Sequence, residues 1–64
     1  LGLNERQIEA LRLMVNEGRE LSNKEYGEMF GVATRIASRE LVQLVETGML
    51  QQVGRGRSTR YRAA

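Results

Sequence analysis

The chain has 64 residues, 41% of them hydrophobic, and a formal net charge of +2, which fits one small folded domain and leaves no room for a second. It contains no cysteine and no histidine, which excludes disulfides, thiolate or imidazole metal ligands and histidine-dependent catalytic triads. We therefore expect no metal or cofactor. No apolar run approaches the roughly 20 residues of a membrane-spanning helix, and no secretory leader is recognisable, so we expect a cytoplasmic protein without a membrane partner.

The first predicted helix covers residues 4–17. Asn4 can cap it, because its side chain can accept from the backbone N–H of Gln7 while Gln7 reaches back as a capping-box partner. Gly18 is a natural left-handed stop. Apolar residues recur at helical spacing and predict the stripe that faces the core, namely Ile8, Leu11, Met14 and Val15.

A second, shorter helix is predicted over residues 22–30. It begins at a capping box formed by Ser22 and Glu25. Gly27 lies inside this helix, where glycine costs about 1 kcal/mol relative to alanine. We therefore expect a packing reason for Gly27, such as a close approach by the next helix.

The residues around Gly31 have the spacing of a helix-turn-helix. Gly31 can end the second helix with positive φ, Val32 can fill the angle between two helices, and a new apolar periodicity starts at Ala37. Any tight corner between two helices needs similar residues. The spacing alone therefore leaves an ordinary αα-corner open as the alternative.

The third helix is predicted over residues 34–47. Its inward face is centred between Ala37 and Leu41, which places Arg35 and Arg39 on the opposite side. These arginines lie at the amino-terminal end, the end that enters the major groove in helix-turn-helix proteins. The alternative is a solvated helix face on which Arg39 pairs with a nearby glutamate.

A β-hairpin is predicted after the third helix. Residues 49–53 favour a first strand, residues 54–58 a loop of glycine, arginine and serine, and residues 59–62 a second strand. We interpret this hairpin as a wing whose arginines follow a phosphate backbone or enter a minor groove; the alternative is an ordinary polar hairpin tip. The residues expected to fasten it to the helices are Leu50, Val53 and Tyr61.

The two halves of the chain carry opposite charge. Residues 1–32 contain four cationic and six acidic side chains, whereas residues 33–64 contain six arginines and two glutamates. This asymmetry indicates that the second half faces a nucleic acid. The glutamates form no convincing catalytic pair, and we interpret them as capping, helix-dipole or solubilising residues.

Four segments of the chain carry a resemblance to known families: 22–26, 30–41, 44–50 and 54–61. They resemble the winged-helix segment of proteins described as RecG-related ATP-dependent DNA helicases or as transcriptional regulators with an AlbA-type or Schlafen-type domain. They are also similar to the winged helices of bacterial DeoR-type repressors. One departure is Ala33, which stands where such proteins commonly have a serine cap; either Thr34 takes over the cap or the first turn frays.

The predicted fold is mainly α with a small β-hairpin, a winged helix-turn-helix of three helices and a two-stranded C-terminal wing. The resemblance implies binding to double-stranded DNA, with the third helix in the major groove and the wing on the backbone. The residues expected to contact DNA are Thr34, Arg35, Ser38, Arg39, Gln43, Arg55, Arg57 and Arg60.

We expect this domain not to be an enzyme. It has no G-x-x-x-x-G-K-[ST] loop, so ATP hydrolysis would belong to another part of a larger helicase-like or regulatory protein. Because the chain begins with Leu1 rather than methionine, we expect residues 1–64 to be one domain excised from such a protein. The parent's other domains or a second copy are then further partners.

The alternative function is a winged helix that binds another protein or forms a dimer. The position of Val42 on the exposed side of the third helix is its best support. A protein-binding face, however, does not need four arginines in and beside the wing.

Overall fold

The computed structural model describes residues 2–64. Three helices are followed by a two-stranded antiparallel hairpin, which confirms the predicted winged helix-turn-helix. The elements in chain order are α1 (Glu5–Glu17), α2 (Asn23–Phe30), α3 (Thr34–Glu46), β1 (Leu50–Val53), a 3₁₀ turn (Gly56–Ser58) and β2 (Arg60–Ala63).

Both predicted capping boxes are formed. The Asn4 side chain accepts from the backbone N–H of Gln7, and the Gln7 side chain accepts from the backbone N–H of Asn4, each at 2.9 Å. Ser22 and Glu25 make the equivalent pair at 2.9 and 3.1 Å. These side chains satisfy amide groups that a helix leaves unpaired at its start, which is why both helices begin where the sequence predicts.

The start of α3 differs from those of α1 and α2. Ala33 occupies its N-cap position without a side-chain hydrogen bond, and the helix begins at Thr34 as predicted. The Ala37 amide donates to the Ala33 carbonyl at 3.0 Å, so the first α-helical bond is made. The first turn is thus helical without a side-chain cap.

Gly27 allows the tight turn between α2 and α3. A Cβ at this position would lie 2.8 Å from the Val32 carbonyl oxygen and 3.9 Å from the Ala37 Cβ. The Val32 amide donates to the Gly27 carbonyl at 3.0 Å, which holds the turn against the helix. The expected packing reason for Gly27 is confirmed, and the closest group is the backbone of the turn that leads to the next helix.

The predicted core face of α1 is wrong in two of its four positions. Ile8 is 55% exposed and Val15 is 63% exposed, while Gln7 and Ala10 are buried beside Met14. Ile8 and Val15 each follow a buried residue and are therefore turned about 100° away from it. The hydrophobic pattern predicts that Ile8 and Val15 are buried because it counts apolar residues only and does not identify Gln7 as a core residue.

The hydrophobic core lies between the three helices and the inner side of the hairpin. Leu50 and Tyr61 anchor the wing in this core, as predicted, whereas Val53 is partly buried. The buried hydrophobic residues are Ala10, Met14, Leu21, Tyr26, Ala37, Leu41, Leu44, Leu50 and Tyr61.

The base of the wing is joined to the loop before α2. In the hairpin, Leu50 pairs with Ala63 and Val53 pairs with Arg60. Leu21 and Tyr61 exchange two backbone hydrogen bonds, at 2.9 and 2.8 Å. Leu21 thus pairs with β2 on the side opposite β1, as a one-residue third strand would. This pairing fixes the wing relative to the start of α2.

Among residues 2–64, no helix has both the length and the apolar character that a membrane crossing requires.

Candidate nucleic-acid interface

The outer face of α3 presents two arginines at its amino-terminal end. Arg35 and Arg39 are exposed, as is Thr34, while Ser38 is partly buried beside them. Within the described part of the chain, neither arginine forms an ion pair with a carboxylate. The alternative in which a glutamate neutralises Arg39 is therefore not observed.

The buried carboxylate of Glu40 attaches α3 to the other two helices. Glu40 is 7% exposed and accepts from Asn4 Nδ2 at 2.8 Å, Arg6 Nε at 3.1 Å and the Tyr26 hydroxyl at 2.7 Å. Interpreting Glu40 as a capping or solubilising residue is thus wrong. Four donor atoms replace water around its carboxylate, one each from Asn4 and Tyr26 and two from Arg6.

The electrostatics of this cluster follow from those hydrogen bonds. The Arg6 guanidinium is the main group that lowers the pKa of Glu40, and the Tyr26 and Asn4 donors add to it against the opposing effect of burial, giving a pKa of about 2. Burial and the bond to Glu40 raise the pKa of the Tyr26 phenol. Glu40 is therefore ionised and Tyr26 neutral at neutral pH, the states that this hydrogen bond requires.

Gln43 lies one turn after Arg39 on α3, but unlike the two arginines it is partly buried. Its Oε1 accepts from Gln7 Nε2 at 3.0 Å, and the same Nε2 contacts the Glu40 carbonyl at 3.1 Å. The Gln43 oxygen is therefore used in packing α3 against α1. Its predicted contact with DNA stays a prediction.

The wing tip is a compact turn that exposes Arg55 and Arg57. Gly54 has a φ of +77°, and a Cβ there would lie 2.4 Å from the Ser58 carbonyl oxygen. The Ser58 amide donates to the Arg55 carbonyl at 2.9 Å. The loop thus has a defined shape, and neither exposed arginine has a carboxylate partner in the residues that the structure covers.

Arg60 is engaged inside the domain, unlike Arg55 and Arg57. Its Nε lies 3.2 Å from Glu20 Oε1, and its Nη2 lies 3.0 Å from Glu25 Oε1. Nη2 also donates to the Glu20 carbonyl at 3.2 Å. Arg60 therefore ties the start of β2 to the start of α2, and its predicted contact with DNA stays a prediction.

An open cleft separates the start of α2 from the wing turn. Its volume is about 520 Å³, and Thr34, Arg57 and Arg60 from the predicted site line it together with Lys24. Sequence reasoning missed Lys24 because this residue lies in the acidic half of the chain. The backbone bridge between Leu21 and Tyr61 and the ion pairs of Arg60 bring the two segments together and place Lys24 beside the wing.

Comparisons with known proteins agree with this architecture. Residues 7–64 match the family model described as "Transcriptional regulator DIP2311-like, C-terminal domain". None of the curated proteins matches the chain.

A solved structure shares the fold. The chain is similar to a MarR family protein from Bacillus stearothermophilus, with a TM-score of 0.79 and 19% sequence identity. The similarity covers 100% of this chain and 45% of that chain. It confirms the winged-helix fold, and the present chain spans less than half of the related protein.

Proposed function

Because the chain belongs to the family of C-terminal domains of DIP2311-like transcriptional regulators, we propose that it binds duplex DNA as the reading module of a regulator. In this proposal α3 lies in the major groove and the wing lies on the backbone. A major groove about 12 Å wide admits one α-helix, and the amino-terminal residues of that helix contact the base edges.

The observation that carries this proposal is that the exposed arginines of α3 and the wing tip have no carboxylate partner within residues 2–64. Arg6, Arg12 and Arg60 each contact a glutamate. No such contact is made within residues 2–64 by the exposed arginines of α3 and the wing tip, which are Arg35, Arg39, Arg55 and Arg57. Arginine can bind a guanine edge or a phosphate through two parallel hydrogen bonds, so this set has the chemistry that duplex DNA requires.

The position of α3 supports a role in reading bases. The Glu40 carboxylate, joined to α1 and α2, fixes the rotation of α3 about its axis and so keeps Arg35 and Arg39 outward. A side chain one turn along a helix from another lies on the same face. The two guanidinium groups can therefore reach neighbouring base pairs or the phosphates beside them.

The test is a heteronuclear NMR titration of the labelled domain with a mixed-sequence duplex at low salt. We expect shifts over residues 34–39 and 54–58 that fade as salt is raised, because phosphate contacts release counterions. The variant Arg35→Gln/Arg39→Gln removes two charges from α3. Arg12→Gln/Arg19→Gln removes the same charge elsewhere and serves as the matched control.

The outcome distinguishes DNA binding from protein binding. Loss of binding in the α3 variant but not in the control supports the proposal. Absence of shifts with wild-type protein at low salt contradicts it and favours a protein-interaction module. Ile8, Val15 and Val42, which are 55%, 63% and 39% exposed, are the apolar residues that such a module would use.

We also propose that this domain is one part of a larger cytoplasmic regulator and has no catalytic role of its own. The family description refers to a C-terminal domain, and the MarR family protein is more than twice as long as the matched region. Contacts with other domains or with a second copy would supply further DNA affinity. The RecG-related helicase parent stays a prediction, since neither comparison concerns a helicase.

A further inference from the structure

We propose that the cleft between α2 and the wing turn is a phosphodiester-binding site, in which Lys24 and Arg57 hold one strand of the DNA from opposite walls. This inference rests on the proposed DNA-binding function. It adds a residue from the acidic half of the chain to the interface and assigns a partner to the cleft.

The charges of the cleft lining are of one sign. Every ionisable side chain that lines it is cationic, namely Lys24, Arg57 and Arg60. Arg60 is already paired with Glu20 and Glu25 and forms part of the wall. Lys24 and Arg57 are exposed, and neither has a carboxylate partner in residues 2–64, so two positive charges remain for an anion.

In this proposal the phosphate is bound by side chains and not by the backbone amides at the start of α2. The capping box of Ser22 and Glu25 already uses two backbone amides of that helix start. A Lys24 ammonium binds phosphate as a compact charge, and the Arg57 guanidinium binds it through a planar pair of donors. Hydroxyl groups of Thr34 and Ser58 lie in the same lining and can donate further hydrogen bonds.

The position and chemistry of the cleft favour a DNA strand over a small ligand. Thr34, the first residue of α3, lines it, so a strand beside the groove that α3 occupies passes this point. Small-molecule sites are mostly apolar with a few polar groups. Here every lining residue is polar, cationic or glycine and the cleft is open to solvent, which suits a solvated backbone phosphate.

The test compares Lys24→Gln and Arg57→Gln with Arg12→Gln, which removes the same charge from α1. Binding to a fluorescent mixed-sequence duplex is measured by anisotropy over a range of salt concentrations. Each cleft variant is expected to reduce the slope of log K against log salt by about 1, because one phosphate contact is lost. Arg12→Gln is expected to leave the slope unchanged, and Lys24→Arg to restore it.

The inference is overturned if Lys24→Gln keeps the wild-type slope while wild-type protein binds the duplex, a result that leaves the proposed function standing. It is also overturned if inorganic phosphate alone saturates NMR shifts at residues 22–24 and 56–59 in the submillimolar range while Lys24→Gln leaves duplex binding unchanged. The cleft would then be a small-oxyanion site. Absence of duplex binding by wild-type protein at low salt refutes the proposed function itself.

Discussion

Glu40 shows how a single residue can escape prediction from sequence. A glutamate on an amphipathic helix is usually solvated, although Glu40 lies three residues after Ala37 and four before Leu44 and therefore borders the core face of α3. Its partners Asn4 and Arg6 are more than 30 residues away along the chain. Only the packed structure brings these donors and the Tyr26 hydroxyl to one carboxylate, so the partners of Glu40 could not be predicted from helical periodicity.

The cluster predicts a pH dependence of stability. The pKa of Glu40 is lowered from 4.5 to about 2 in the folded domain. A lowered folded-state pKa adds stability that is present above the unfolded value and is lost as pH falls towards the folded value, here between about 4.5 and 2. Because one pKa unit corresponds to about 1.4 kcal/mol, the full effect on the free energy of unfolding is about 3 kcal/mol.

Urea unfolding at a series of pH values measures this contribution. Wild-type protein and Glu40→Gln share all other carboxylates, so their difference isolates Glu40. We expect the free energy of unfolding to fall more steeply in wild-type protein between pH 4.5 and 2. Parallel curves for the two proteins would contradict the assignment.

Gly27 is a residue whose packing role could be predicted from sequence. Gly27→Ala improves helix propensity but places a methyl group 2.8 Å from the Val32 carbonyl oxygen. Because that carbonyl belongs to the turn backbone, we expect a net loss of about 1–3 kcal/mol in the free energy of unfolding. The control Glu28→Ala changes an exposed residue of the same helix and should alter the free energy of unfolding by less than about 0.5 kcal/mol. A Gly27→Ala protein that is more stable than wild type would contradict the close contact.

At the level of elements, capping and turn chemistry predicted boundaries well, while hydrophobic periodicity was less accurate for burial. The bounds of α1 and α2 follow from the capping boxes and the glycines that end them. The buried face of α1 does not follow from its apolar residues, because Gln7 fills a core position by bonding to α3. Long-range hydrogen bonds of this kind leave no periodic signal.

This difference predicts the energetic ranking of two residues in α1. Gln7→Ala removes a buried side chain that donates to Gln43 and to the Glu40 carbonyl and accepts from the Asn4 amide in the capping box. We expect it to cost about 2–3 kcal/mol. Val15→Ala alters a side chain that is 63% exposed and should change stability by less than about 0.5 kcal/mol. Thermal unfolding of both variants measures this difference. If Val15→Ala lowered stability more than Gln7→Ala, the buried face of α1 would be the predicted apolar stripe, contrary to the structure.

In the wing, the number of arginines in the sequence does not predict which of them are available to bind DNA. The hairpin and its loop follow from glycine and β-compatible residues. However, Arg60 contacts Glu20 and Glu25, while Arg55 and Arg57 are exposed without a carboxylate partner in the described range. These pairings depend on how β2 lies beside the loop before α2, and a short hairpin does not fix this from sequence.

At the scale of the whole molecule, the charge asymmetry of the sequence corresponds to a group of exposed arginines on α3 and the wing tip. The second half contributes the cations of α3 and the wing tip, as predicted. The fold adds Lys24 from the first half, which lines the same cleft as Arg57. A module of this size buries on the order of 600–1,000 Å² on DNA, so we expect weak affinity from one copy alone.

The most direct measurement of the central claim is the salt dependence of binding to a mixed-sequence duplex. If the four unpaired arginines of α3 and the wing tip contact phosphates, log K should fall with log salt at a slope of about −3 to −4. Lys24 would add about one unit to this magnitude. Arg35→Gln/Arg39→Gln should bring the slope closer to zero, and Arg12→Gln/Arg19→Gln should not. No detectable binding at low salt, or a slope near zero, would contradict a DNA-binding role for this domain.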